Sequence, residues 1–153
     1  MTPNQGPNPY LKTKIMTASR EELRLMLFDG AIKFANQAKL AMQNQKHEDL
    51  YHNLLRAQKI VLELSTSLNH TIAPDLCGKL SALYTYIYRL LVDAHMDKDT
   101  AKIDEAIRLI GFERETWVLL MKKLADENRG AAGNAMDIVG AQQTAVSTLS
   151  RSA

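Results

Sequence analysis

Four stretches of this chain repeat apolar residues at steps of three and four, and short polar breaks separate them. That period matches the turn of an α-helix and draws one face along each stretch. The first stripe runs through Leu23, Met26, Leu27, Gly30, Phe34, Ala38 and Ala41. The second holds Leu50, Leu54, Ala57, Val61, Leu64 and Leu68. The third is Leu76, Leu80, Leu83, Ile87, Leu90 and Ala94, and the fourth Ile103, Ala106, Ile107, Ile110, Trp117, Met121 and Leu124. Each pattern predicts a helix of about 20–26 residues, or roughly 30–40 Å. No strand-like alternation competes with them.

Local signals set the boundaries. Ser19 can cap a helix whose third residue, Glu22, reaches back to it, and Glu21 and Glu22 suit the positive end of the helix dipole. Asn44 to His47, Asn69 to Thr71 and Asp97 to Thr100 read as breaks, and Pro74 with Asp75 reads as a helix start. Links of about four to six residues make successive helices antiparallel, so the expected fold is all-α, an up-down four-helix bundle over residues 19–128. Residues 1–18 are expected to form a flexible N-terminal segment and cap, because the first nine hold three prolines, two asparagines and a glycine. Residues 129–153, rich in Gly, Ala, Ser, Thr, Asn and Gln, are expected to form a flexible polar tail.

Composition narrows the function classes. A chain of 153 residues can bury a proper core. The net charge of +2 comes from scattered basic residues, whereas nucleic-acid binding asks for a concentrated basic face. No apolar run reaches the roughly 18 residues of a membrane span, and no secretory leader is evident. The single Cys77 excludes an internal disulfide and a multi-cysteine metal site, and fits a reducing, cytoplasmic setting.

Catalytic signatures do not assemble. A di-iron bundle needs Glu-x-x-His motifs on two helices, and the nearest approach is Asp49 with His52. There is no glycine-rich phosphate loop and no G-x-S-x-G elbow. Cys77 has no evident base beside it. A histidine phosphotransfer bundle would use His52, His70 or His95, none of which has a lysine-glycine pair suited to a phosphoryl acceptor. The expectation is therefore no enzyme, no cofactor, no metal and no small-molecule substrate.

The helices also carry more apolar residues than one core stripe each. Leu25, Phe28, Ile32 and Ala35 form a second line on the first helix. Tyr51, Leu55 and Leu62 flank the second, Tyr84, Tyr88 and Leu91 the third, and Leu109, Phe112 and Leu119 the fourth. Surplus apolar faces on a soluble bundle mark partner surfaces, and a groove for amphipathic helices fits them. An adaptor for some other helical partner would show the same pattern.

The order of several short motifs goes further. Asn8-Pro9-Tyr10, Thr17-Ala18-Ser19-x-Glu21-Glu22-Leu23 and Leu25 to Ala31 open the series. Ala57-Gln58-Lys59-Ile60, Glu63-Leu64, Ser67-Leu68, Leu80 to Leu91 and Arg114-Glu115-Thr116-Trp117 continue it. Over roughly residues 8–125 the chain resembles the bacterial flagellin export chaperones. The resemblance implies a cytoplasmic protein that binds the disordered C-terminal segment of flagellin, blocks premature polymerisation and supports delivery to the flagellar type III export apparatus, whose export gate is a further expected partner. The expected client-facing residues are Tyr10, Leu11, Ile15, Leu25, Phe28, Ile32, Leu55, Leu62, Tyr84, Tyr88, Leu91, Leu109 and Phe112. Tyr10, Leu11, Ile15 and Met16 precede the first expected helix, and a segment bearing them can lie over an empty groove.

Overall fold

The computed structural model describes residues 8–71 and 73–130. These form five helices, α1 (Pro9–Thr17), α2 (Arg20–Gln43), α3 (His47–Thr66), α4 (Pro74–Asp97) and α5 (Thr100–Gly130), and no strand occurs among the described residues. Helix α2 packs against α3 and α5, and α4 packs against the same two. The diagonal pairs barely meet, so the four long helices close a ring around one core.

Helix α1 forms within the stretch expected to be a flexible segment and cap. Asn8 supplies the cap, its side-chain oxygen accepting from the Tyr10 N–H at 2.9 Å, and Pro9 occupies the first turn. Proline loses nothing there, since that position has no intrahelical partner for an N–H. No residue of α1 is buried. Ala18 and Ser19 are extended and break α1 from α2. The capping reading of Ser19 holds, with its hydroxyl accepting from the Glu22 N–H at 3.1 Å. Ser19→Ala should cost about 1 kcal/mol in urea unfolding. An unchanged midpoint would mean that solvent serves this N–H equally well.

Two helices stop on left-handed residues that are not glycine. Gln45 has φ 58° and Lys98 has φ 53°. Past them the Lys46 N–H donates to the Ala41 carbonyl at 2.8 Å, and the Asp99 N–H to the Ala94 carbonyl at 3.1 Å. These bonds satisfy carbonyls left over at a helix end and turn the chain within a few residues.

The core stripe of α3 is the expected one, with Leu50, Leu54, Ala57, Val61, Leu64 and Leu68 all buried. On α5, Ile103, Ala106, Ile110 and Trp117 are buried as expected. On α2 and α4 the structure keeps part of the stripe, burying Ala38, Ala41, Ile87, Leu90 and Ala94 as expected, and corrects the rest. The buried line of α2 is Arg24, Phe28, Ala31, Ala35, Ala38 and Ala41. Leu23, Met26, Leu27 and Phe34 are only half-buried. On α4, Cys77, Tyr84, Ile87, Leu90, Leu91 and Ala94 are buried, whereas Leu76 is exposed and Leu80 and Leu83 are half-buried. Phe28, Tyr84 and Leu91 therefore lie in the core and not on an outer face.

Close packing explains the shift. Helix α2 is apolar around much of its girth, so a line through its largest side chains is one residue, or about 100°, away from the line that meets its neighbours. The contact line is made of alanines, which let backbones approach. Gly30 adds to this: a Cβ there would sit 3.2 Å from Ile60 Cδ1. Polar ties then fix the register between helices. Lys39 pairs with Asp104 at 2.7 Å and Arg114 with Asp29, both between α2 and α5, and the Tyr86 hydroxyl donates to Glu105 at 2.7 Å between α4 and α5.

Candidate functional site

The α3–α4 seam is an open apolar groove. One depression, of about 190 Å³, is lined by Tyr51, Leu54, Leu55, Gln58, Val92, His95 and Met96. A second, of about 140 Å³, is lined by Val61, Leu62, Ser65, Tyr84, Thr85 and Tyr88. On α3 the wall steps through Tyr51, Leu55, Gln58, Leu62 and Ser65, the spacing of a single helical line. Across that span the groove is about 20 Å long. The start of α3 lies beside the end of α4, where the Tyr51 and His95 rings are 5.9 Å apart. Leu62 is 51% exposed and Met96 74%. This is an apolar trough with aromatic rims and few charges, suited to an apolar helix face.

Across the ring, a depression of about 210 Å³ opens between the start of α2 and the last turns of α5. Ser19, Glu21, Trp117, Leu120, Met121, Leu124, Ala125 and Asn128 line it. Trp117 is buried at its floor, and the indole N–H donates to the Glu21 carbonyl at 3.0 Å.

Between the two openings lies a buried arginine. Arg24 is 4% exposed. Its Nη2 donates to the Tyr84 hydroxyl at 2.9 Å and its Nη1 to the Ser67 hydroxyl at 3.1 Å. Ser67 in turn donates to the Leu64 carbonyl at 3.1 Å. The guanidinium carbon lies 5.5 Å from the Phe28 ring centre, 5.9 Å from that of Tyr84 and 5.7 Å from that of Trp117. Burial raises the pKa of Tyr84, and the charge and hydrogen bond of Arg24 partly oppose this. Burial likewise pushes the Glu113 carboxyl up, with Arg24 again opposing.

The expected client-facing residues therefore divide. Leu55, Leu62 and Tyr88 meet in the α3–α4 groove, and the buried Tyr84 contributes part of its floor. Leu25, Ile32 and Leu109 are half-buried against the core, while Phe112 stands exposed on α5. Phe28 and Leu91 are buried in the core. Tyr10, Leu11 and Ile15 are exposed on α1, and none of them lines these depressions. Sequence reasoning left Val92 and Met96 out of the site, although they continue the Tyr84–Tyr88 line at helical spacing. It also left out Leu120 and Arg24. A charge inside an apolar window gives no sign of whether it points outward or inward.

Among the described residues no cluster of three or more histidine, cysteine or acidic side chains is poised for a metal. Cys77 is buried, and its thiol lies 3.4 Å from the Asn69 carbonyl. No helix among them is long and apolar enough to cross a membrane.

The family model for the flagellar protein FliS matches residues 3–124. The flagellar secretion chaperone FliS of Bacillus subtilis (strain 168) is 34% identical over 129 residues, covering 82% of this chain and 96% of that protein. The flagellar secretion chaperone FliS of Escherichia coli (strain K12) is 30% identical over 108 residues, covering 70% and 79%. That of Campylobacter jejuni (serotype O:6, strain 81116) is 28% identical over 117 residues, covering 76% and 91%. A helical ring with an open apolar groove and a family match over most of its length lead to one conclusion: this chain belongs to the FliS family of flagellar secretion chaperones.

Proposed function

We propose that this chaperone binds the C-terminal segment of flagellin in the α3–α4 groove, prevents its premature polymerisation and supports its delivery to the flagellar export apparatus in the cytoplasm. The supporting observation is the groove itself, two mainly apolar depressions that follow one another along about 20 Å of α3 between two packed helices. Residues 19–128 act as the chaperone domain, an antiparallel up-down four-helix bundle. A segment disordered alone gives up conformational entropy when it folds on this surface. Burying a few leucine-sized anchors, each contributing about 1.5–3 kcal/mol, offsets that cost. Tyr10, Leu11 and Ile15 on α1 supply further apolar surface that the client can engage.

Calorimetry with the isolated C-terminal segment of flagellin tests the reading. Leu62→Asp should weaken binding by about 10- to 100-fold, because an apolar anchor then faces a carboxylate that must be desolvated. Leu62 is half-exposed, so helix content and melting temperature should hardly move. Unchanged affinity in this variant would remove the groove from the client site.

A further inference from the structure

We propose that Arg24 is a positioning residue that ties the α3–α4 groove to the α2–α5 depression on the opposite side of the ring, so that a change at one is felt at the other. The geometry comes first. Arg24 projects from α2 and touches groups from three long helices and the cap of the fourth: Phe28 on its own helix, Ser67 just past α3, Tyr84 on α4 and Trp117 on α5. Tyr84 lines the first opening and Trp117 floors the second. One buried side chain thus stands between two sites that share no wall residue.

The chemistry argues against a merely space-filling role. A buried cation is costly unless it is paired and hydrogen-bonded. Here both hydrogen-bond acceptors are neutral hydroxyls, and the buried Nε has no partner among the described residues. Glu113, half-buried on α5, acts on the guanidinium through space and lies one helical turn before Trp117 on the same face. The guanidinium therefore has two sets of neighbours: the hydroxyls on the α3–α4 side, and on the α5 side the Trp117 ring, with the Glu113 carboxylate acting on it only through its charge. Shared polar networks couple their members more strongly than separate contacts do. Displacing the Tyr84 ring frees the guanidinium to turn toward Glu113, and Trp117 is repacked with it.

The chain has a single tryptophan, so its emission reads the α2–α5 depression alone. Tyr84→Phe keeps the ring and removes the hydroxyl. In the free protein it should shift the Trp117 emission maximum and change acrylamide quenching, and Ser67→Ala should act in the same direction. Thr85→Ala, on the same groove wall but outside the network, should change neither. Unchanged Trp117 emission in Tyr84→Phe and Ser67→Ala, or an equal shift in Thr85→Ala, overturns the coupling. A second arm rests on the proposed client. Calorimetry with the flagellin C-terminal segment on Leu62→Ala, Leu124→Ala and the double variant should depart from multiplicative losses by at least about threefold. With Arg24→Lys, which keeps the charge and loses the planar fork, the losses should become multiplicative. Multiplicative losses with Arg24 intact also overturn the coupling. Absence of any binding by the wild-type chain would sink the client reading alone, and the emission arm then decides the coupling.

Discussion

Trp117→Ala is expected to lower stability by about 3–5 kcal/mol, the usual loss for deleting a buried large aromatic. Trp117 is 4% exposed and is the largest side chain joining α5 to the head of α2. Its removal opens a cavity, exposes the face of the Arg24 guanidinium that it covers, and leaves the Glu21 carbonyl to water. All three effects fall on one end of the ring, so α2 should loosen there before the rest unfolds. Urea unfolding followed by circular dichroism measures the total, and hydrogen exchange at the first turns of α2 locates it. Trp117→Phe retains most of the ring area and loses the indole donor, so its loss should be intermediate. A loss below about 1 kcal/mol for Trp117→Ala would mean that α5 is not anchored through this ring.

Ala35→Leu should destabilise even though it adds apolar surface. Ala35 has no exposed surface and lies on the alanine line that faces the centre of the ring. A leucine there needs room that a close-packed interior does not hold. Overpacking of this kind costs about 1–3 kcal/mol, and more where two helices must separate to relieve it. Ala101→Leu, at an exposed position near the start of α5, serves as the control and should change stability by less than about 0.5 kcal/mol. If Ala35→Leu raises the urea midpoint, the alanine line is not the contact face of α2.

The second prediction turns on a feature that the apolar pattern left ambiguous. Hydrophobic periodicity selects the heaviest residues, and on α3 these coincide with the packed ones. On α2 they do not. Leu23, Met26, Leu27 and Phe34 bury only in part, because the alanine line takes the contact and pushes larger side chains to its flanks. The same offset on α4 carries Tyr84 and Leu91 inward and leaves Leu76 exposed. The surplus of apolar residues was legible, and it pointed to an apolar partner surface. Which of them share a groove was not, since that depends on the angle at which each helix faces its neighbour, and one residue of error turns it by about 100°.

Helix α1 shows a different limit. Asn8-Pro9 is a sound start signal, yet it sits among prolines that read as loop. A helix of nine residues with no buried side chain has no stripe to announce it.

The sequence by itself determined the helical class, the four long helices with the Ser19 cap, the single cysteine and the ordered motifs that resemble the family, because these depend on local periodicity, capping chemistry and composition. The tertiary structure decided that α3 and α4 form the open groove and that small residues of α2 face the core. It also decided that Arg24 points inward to join hydroxyls from two other parts of the ring. Those outcomes follow from backbone approach and side-chain volume summed across neighbouring helices, quantities that no single stretch of sequence contains.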